Sequence, residues 1–352
     1  MLTLCVHGEV NLKVGYNAFV NKKIFISSVV FLIAGAIFGA FWGYYLAKGD
    51  YEKVLSIATP LREGAFGHKF INPLLACDLP EAKDVDEYSG LEKNLNSIIE
   101  QKKSQHAVND VSLYMIRNGL WVGINENVKY EPASMLKVVL MIAYLKQKET
   151  HPELFAQKLI YSKTIKNISD QIPFQASSSL VLNNSYTVDE LINKMIIESD
   201  NKAMYLLLSG IDENSLNDVY TDLGISTPDN NGVYKISAKS YSLFFRILYN
   251  ATYLNRVDSE FALDLLAKAH FEDGIVAGLP KDTLVSHKYG ERVVTAADGS
   301  ISGVELHDCG FIYPQNGDKP YFLCVMTKGD SLEGVKATIS TISAYVYAQL
   351  VK

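Results

Sequence analysis

The chain is predicted to be of the α/β class, of the α+β kind. A five-stranded antiparallel sheet is flanked by terminal helices, an all-helical lobe lies beside it, and one transmembrane helix precedes both. Three observations carry this. The hydrophobic pattern reads helix, two strands, a long helical insert, three strands, helix, an order that suits helices layered on one sheet. Asn118-Gly119 and Asn316-Gly317 each separate two apolar runs, as hairpin turns do. Residues 24–47 hold no charged side chain.

Taken in order, residues 1–23 form a short N-terminal segment containing Lys13, Lys22 and Lys23. As a helix, Ile24 to Ala47 would be ~36 Å long, enough to cross a hydrocarbon core. Trp42, Tyr44 and Tyr45 fall near its end, where interfacial aromatics sit. The lysines before it place the N-terminus in the cytoplasm and residues 48–352 outside, so the expected localisation is membrane-anchored and extracytoplasmic. A cleaved signal peptide is the rival reading, but the apolar run is long for one and no small-x-small site ends it. Gly35, Gly39 and Gly43 recur every four residues; the plainer account is that glycine is frequent in membrane helices.

Residues 48–88 read as an extracytoplasmic linker, broken by Pro60, Pro73 and Pro80. Leu74-Leu75-Ala76-Cys77 looks like a lipoprotein cleavage box but lacks an apolar run directly before it, so chance is the better reading. The main domain is expected over 89–352. Its first helix starts near Leu91, with Leu95, Ile98 and Ile99 on one face. Runs at 111–116 and 120–124 form the hairpin, and a helix carrying Ser134 follows. Thr187 and Glu190 make a capping box for the next helix. Further helices are expected over 200–209, 237–253 and 259–269, then strands over 284–289, 304–313 and 321–327. A helix over 332–350 closes the chain.

With 48% hydrophobic and 20% charged residues, the 352-residue chain can bury a sizeable core. A net charge of −6 gives no electrostatic footprint for nucleic acid, and no nucleic-acid partner is expected. Cys5, Cys77, Cys309 and Cys324 match no metal spacing, and no His/Cys/carboxylate cluster does either, so neither a metal nor a cofactor is expected. Cys309 and Cys324 fall in successive strands. A disulfide and two buried thiols are both open readings.

Chemistry concentrates at Ser134-Met135-Leu136-Lys137. Three residues apart on a helix, the hydroxyl and the amine share a face. Serine is a poor nucleophile until a base takes its proton, and a desolvated lysine can be that base. Alone the pattern is common. Ser199-Asp200-Asn201 lies between two helical stretches, where such residues are also ordinary caps. His287-Lys288-Tyr289-Gly290-Glu291 lies on a strand, where a lysine can hold a substrate carboxylate and a glycine lets substrate backbone approach. The plain alternative is an exposed edge-strand lysine. His287 points to the face opposite Lys288 and reads as structural.

In this order and context the three clusters resemble the penicillin-recognising serine enzymes, class A β-lactamases most closely, over about residues 90–352. Thr187 to Leu191, Asp273 to Pro280 and the Gly310-Phe311-Ile312-Tyr313 strand extend the resemblance. It implies a β-lactamase/transpeptidase-like fold with Ser134 as the nucleophile that forms an acyl-enzyme. It implies Lys137 as general base or proton relay, and Ser199 as the group passing a proton to the leaving nitrogen. Asn201 would bind the substrate amide and steady Lys137; Lys288, Tyr289 and Gly290 would form the carboxylate-binding strand. The backbone N–H groups of Ser134 and Glu291 would be the oxyanion hole.

Two departures stand out. Tyr289 occupies a position where threonine or serine is usual, which puts substrate range in doubt. The span from Gly210 to about Ser237 is short, and its one Glu-x-x-x-Asn, Glu213 to Asn217, falls at the start of an expected helix instead of on a loop, where class A enzymes use such a pair to position the deacylating water. Asp212 and Glu213 read as helix caps and Asp229-Asn230-Asn231-Gly232 as a turn, which leaves Asp229 as the weak remaining candidate. Three functions follow. The first is a membrane-anchored, class A β-lactamase-like serine hydrolase with slow deacylation. The second is a D,D-peptidase acting on peptidoglycan stem peptides. The third is a non-catalytic wall-associated binding domain, which the retention of Ser134, Lys137 and Ser199 disfavours. The expected partners are a β-lactam or D-Ala-D-Ala-type peptide, and a membrane through residues 24–47.

Overall fold

The computed structural model describes residues 35, 38, 39, 68–73, 82–162, 180–228, 233–296, 298–315 and 317–351. Residues 35, 38 and 39 are helical; the rest of the expected membrane segment 24–47 lies outside the described residues, as do Cys77 and the turn at 229–232. Among the described residues, no helix is long and apolar enough to cross a membrane.

The sheet forms as the pattern requires. Strands β1 (Asp110–Arg117) and β2 (Leu120–Ile124) pair antiparallel. Asn118 and Gly119 both take positive φ (53° and 84°), the backbone a two-residue hairpin needs to match the strand twist. With β7 (Leu284–Thr295), β8 (Ile301–Tyr313) and β9 (Tyr321–Gly329) they make a five-stranded antiparallel sheet in the order β2-β1-β9-β8-β7. Strand β7 runs past Tyr289, where its expected span stopped, because the backbone ladder with β8 continues through Thr295. Cys309 and Cys324 face each other across β8 and β9 and form a disulfide.

Helices α1 (Ala82–Ser104) and α8 (Leu332–Leu350) cover one face of the sheet. Leu95, Ile99, Leu113, Leu306, Val325, Ile339 and Ile342 close that layer. The other face packs on the helical lobe through Cys309, Phe311, Phe322, Cys324 and Met326. At the centre of the lobe is α2 (Lys137–Lys148), whose residues 137–145 are all buried. A helix apolar on every side can only be an interior one. Around it lie α3 (Val188–Ile197), α4 (Asn201–Leu208), α5 (Glu213–Asp222), α6 (Ala238–Tyr249) and α7 (Arg256–Leu266). The Thr187–Glu190 capping box starts α3, and Asp212 caps α5. Two small two-stranded sheets not apparent in the pattern, β3 (Lys129–Tyr130) with β6 (Ile236–Ser237) and β4 (Lys158–Ile160) with β5 (Ser185–Thr187), tie loops to the lobe.

Two parts of the expected linker belong to the body. Residues 82–88 are the first turns of α1. Upstream, Lys69, Phe70 and Ile71 donate their backbone N–H groups to the Glu260 carboxylate at 2.7–3.2 Å. The Tyr313 hydroxyl donates to the Phe70 carbonyl, and Asn72 N–H to that of Tyr249. Phe70 and Ile71 are buried, so this strap is held by apolar contact as well as by hydrogen bonds.

Candidate active site

Ser134 sits in a 3₁₀ turn, Ala133–Leu136, that leads directly into α2 with Lys137 as its first residue. The chain enters through Ala133 in the left-handed region (φ 48°), a conformation unfavourable to a residue with a Cβ and recurrent at functional sites. In a 3₁₀ turn residues i and i+3 eclipse, which aligns Ser134 and Lys137 more directly than a helix would. Lys137 Nζ lies 2.9 Å from Ser134 Oγ. The Tyr241 hydroxyl donates to the Met135 carbonyl at 2.9 Å and holds the turn from the lobe side.

Between α3 and α4, Ser199 also adopts a left-handed backbone (φ 55°), which turns it toward α2. Asp200 caps α4 by accepting from the N–H groups of Lys202 and Ala203. Lys137 Nζ contacts the Ser199 carbonyl at 2.5 Å, Ser199 Oγ at 2.9 Å and Asn201 Oδ1 at 2.7 Å. Lys288 Nζ reaches the same Ser199 Oγ at 2.9 Å. Five residues predicted from three distant stretches thus meet around one hydroxyl: Ser134, Lys137, Ser199, Asn201 and Lys288.

Both lysines are fully buried. Burial drives the Lys137 pKa well below the usual lysine range; Lys288 lowers it further and Asp200 opposes. Burial brings Lys288 down to about 7, against the pull of Asp308. A neutral Lys137 amine can accept the Ser134 proton while donating to the Ser199 carbonyl and Asn201.

The third motif lies along β7. Lys288, Gly290 and Arg292 stand on the lobe side of the sheet, opposite Cys309, His307 and Glu305. A Cβ on Gly290 would fall onto the Pro132 carbonyl oxygen and 2.9 Å from Met135 Cγ. The glycine therefore admits the protein's own nucleophile turn. This abutment sets Glu291 beside the 3₁₀ turn. The Glu291 side chain is buried, with neither carboxylate oxygen hydrogen-bonded, and burial raises its pKa to about 7 against the pull of Lys336. Tyr289 stacks on Phe271, with centroids 4.0 Å apart and planes 15° off parallel. Its ring lies 4.3 Å from Lys288 Nζ. Burial raises the phenol pKa, and the Ser199 side chain opposes.

His287 is buried on the face away from Lys288 and pairs through Nδ1 with Asp308 at 2.8 Å. Two residues of the site had no sequence signal: Phe271, a single aromatic in a loop, and His307, a single histidine within an apolar strand. His307 Nδ1 accepts the Thr327 N–H, so Nε2 carries the proton and donates to the Glu131 carbonyl at 3.2 Å. Burial lowers its pKa to about 4, which keeps it neutral. Arg292 pairs with the Glu131 carboxylate from the same side. Together they brace the segment leading into Ser134. Among the described residues no carboxylate is hydrogen-bonded to Ser134, and no group of side chains could hold a metal ion. Asp229 lies outside the described residues.

A family model described as the beta-lactamase enzyme family matches residues 90–350. Solved structures share the fold at low identity. PBP-A is 19% identical with a TM-score of 0.58, over 72% of this chain and 95% of its own. A class A beta-lactamase from Mycobacterium abscessus is 20% identical with a TM-score of 0.59, over 73% and 98%. The TLA-3 extended-spectrum beta-lactamase is 20% identical with a TM-score of 0.63, over 74% and 100%. No curated protein matches the sequence.

Proposed function

The chain belongs to the beta-lactamase enzyme family and is a serine hydrolase acting on amide bonds, and from that premise we propose that it forms an acyl-enzyme on Ser134 with β-lactams and breaks it down slowly. The observation that carries the reading is the buried, charge-depleted Lys137 amine 2.9 Å from Ser134 Oγ. Lys137 takes the hydroxyl proton as Ser134 Oγ bonds the carbonyl carbon. The carbon–nitrogen bond then breaks, and the nitrogen receives a proton through Ser199, whose hydroxyl touches both lysines. Asn201 steadies Lys137, and the N–H groups of Ser134 and Glu291 receive the developing oxyanion.

Slow release follows from the short span 210–237, whose one Glu-x-x-x-Asn pair, Glu213 and Asn217, starts helix α5 with the glutamate exposed instead of positioning a deacylating water. That same observation favours a second reading, a D,D-peptidase cleaving D-Ala-D-Ala-type stem peptides. We place the enzyme outside the cytoplasm on a membrane anchor at residues 24–47. The charge-free run and the Cys309–Cys324 disulfide, a bond favoured in oxidising compartments, support this.

Intact-mass measurement on residues 49–352 incubated with benzylpenicillin tests the acylation. The expected result is an adduct lasting minutes or longer on the native protein and none on Ser134→Ala. Rapid turnover without a detectable adduct would remove the slow step. Cleavage of a D-Ala-D-Ala peptide together with a persistent adduct would select the peptidase.

A further inference from the structure

We propose that Tyr289 closes the anion-binding position at Lys288, so that the cleft selects acyl donors whose leaving-group side is neutral over those bearing a carboxylate there. The inference rests on the acylating role of Ser134.

A lysine recognises a carboxylate only if its ammonium can reach it with a free donor. Lys288 has no exposed surface. Its Nζ is directed inward to Ser199 Oγ at 2.9 Å and lies 4.3 Å from the Tyr289 ring centroid. The aromatic face thus takes the place an incoming anion would occupy. The ring is held there: Phe271 stacks on it at 4.0 Å, and Ser199 interacts with its hydroxyl. Small rotamer changes would not open the position without breaking the stack.

The selection follows from the ring itself. A carboxylate brought against it would meet the negative π-face. A neutral group would meet a flat apolar surface.

The test is a matched pair, benzylpenicillin and its methyl ester, with acylation of the full-length protein followed by intact mass. The native protein is expected to acylate with the ester at least about 10-fold faster than with the acid. Tyr289→Thr, which removes the ring, is expected to reverse that ratio, whereas Tyr289→Phe, which keeps the ring and the stack, preserves it. A native protein that prefers the acid, or a ratio unmoved by Tyr289→Thr, overturns the inference and leaves acylation at Ser134 standing. No adduct from either compound on the native protein or on Tyr289→Thr overturns the acylating role and the inference with it.

Discussion

Two buried amines beside one hydroxyl cannot both stay fully protonated. Lys137 is driven well below the lysine range and Lys288 to about 7, because neither ammonium is hydrated and Lys288 repels Lys137. The pair titrates as a unit. Only the deprotonated base can take the Ser134 proton, so activity is gained as pH rises. Single-turnover acylation should climb with pH to a plateau, with its midpoint well below the ordinary lysine range. Lys137→Ala should lower the rate at least about 100-fold. A loss under about 10-fold would identify another base. At this scale Ser134, Lys137, Ser199 and Lys288 were legible because their residue types and spacings are chemically restrictive. Phe271 and His307 were not. What matters about each is a partner distant in sequence, Tyr289 for one and the Glu131 carbonyl for the other.

The site is assembled where a 3₁₀ turn meets an edge strand. Neither element makes the cleft alone. Gly290 lets β7 lie against Pro132 and Met135. Gly290→Ala should therefore push strand and turn apart by about an ångström. The expected outcome is at least a 100-fold slower acylation, with the far-UV circular dichroism unchanged. Acylation within a few-fold of native would show that the turn tolerates the displacement. Element types were readable because each carried its own punctuation, such as the Asn-Gly hairpin, the Thr187–Glu190 box and the capping Asp212. The strand ends were not, since β7 is prolonged past Tyr289 by its partner β8.

On the scale of the molecule, the sheet is shared by two cores. One face belongs to α1 and α8 and the other to the helical lobe. The disulfide crosses the two central strands on the lobe side. The strap at residues 69–72 belongs to this organisation, although its proline-interrupted surroundings read as linker. Its hold is long-range: an acid on α7 and the apolar core of the lobe, neither of which the local sequence announces. A fragment beginning at residue 89 loses Phe70 and Ile71 from the core, and the first turns of α1 with them. It should melt about 4 °C or more below one beginning at residue 66. Equal melting temperatures would mean that the strap contributes nothing net.

The strap also bears on transplantation. The family match begins at residue 90, and that boundary is where a designer would cut to move this enzyme onto another carrier. Such a graft would strip Glu260 of all three N–H donors while leaving the acid in place. The portable unit thus includes about twenty residues of apparent tether. A graft that omits them should carry Glu260→Gln as compensation for the donors it leaves behind.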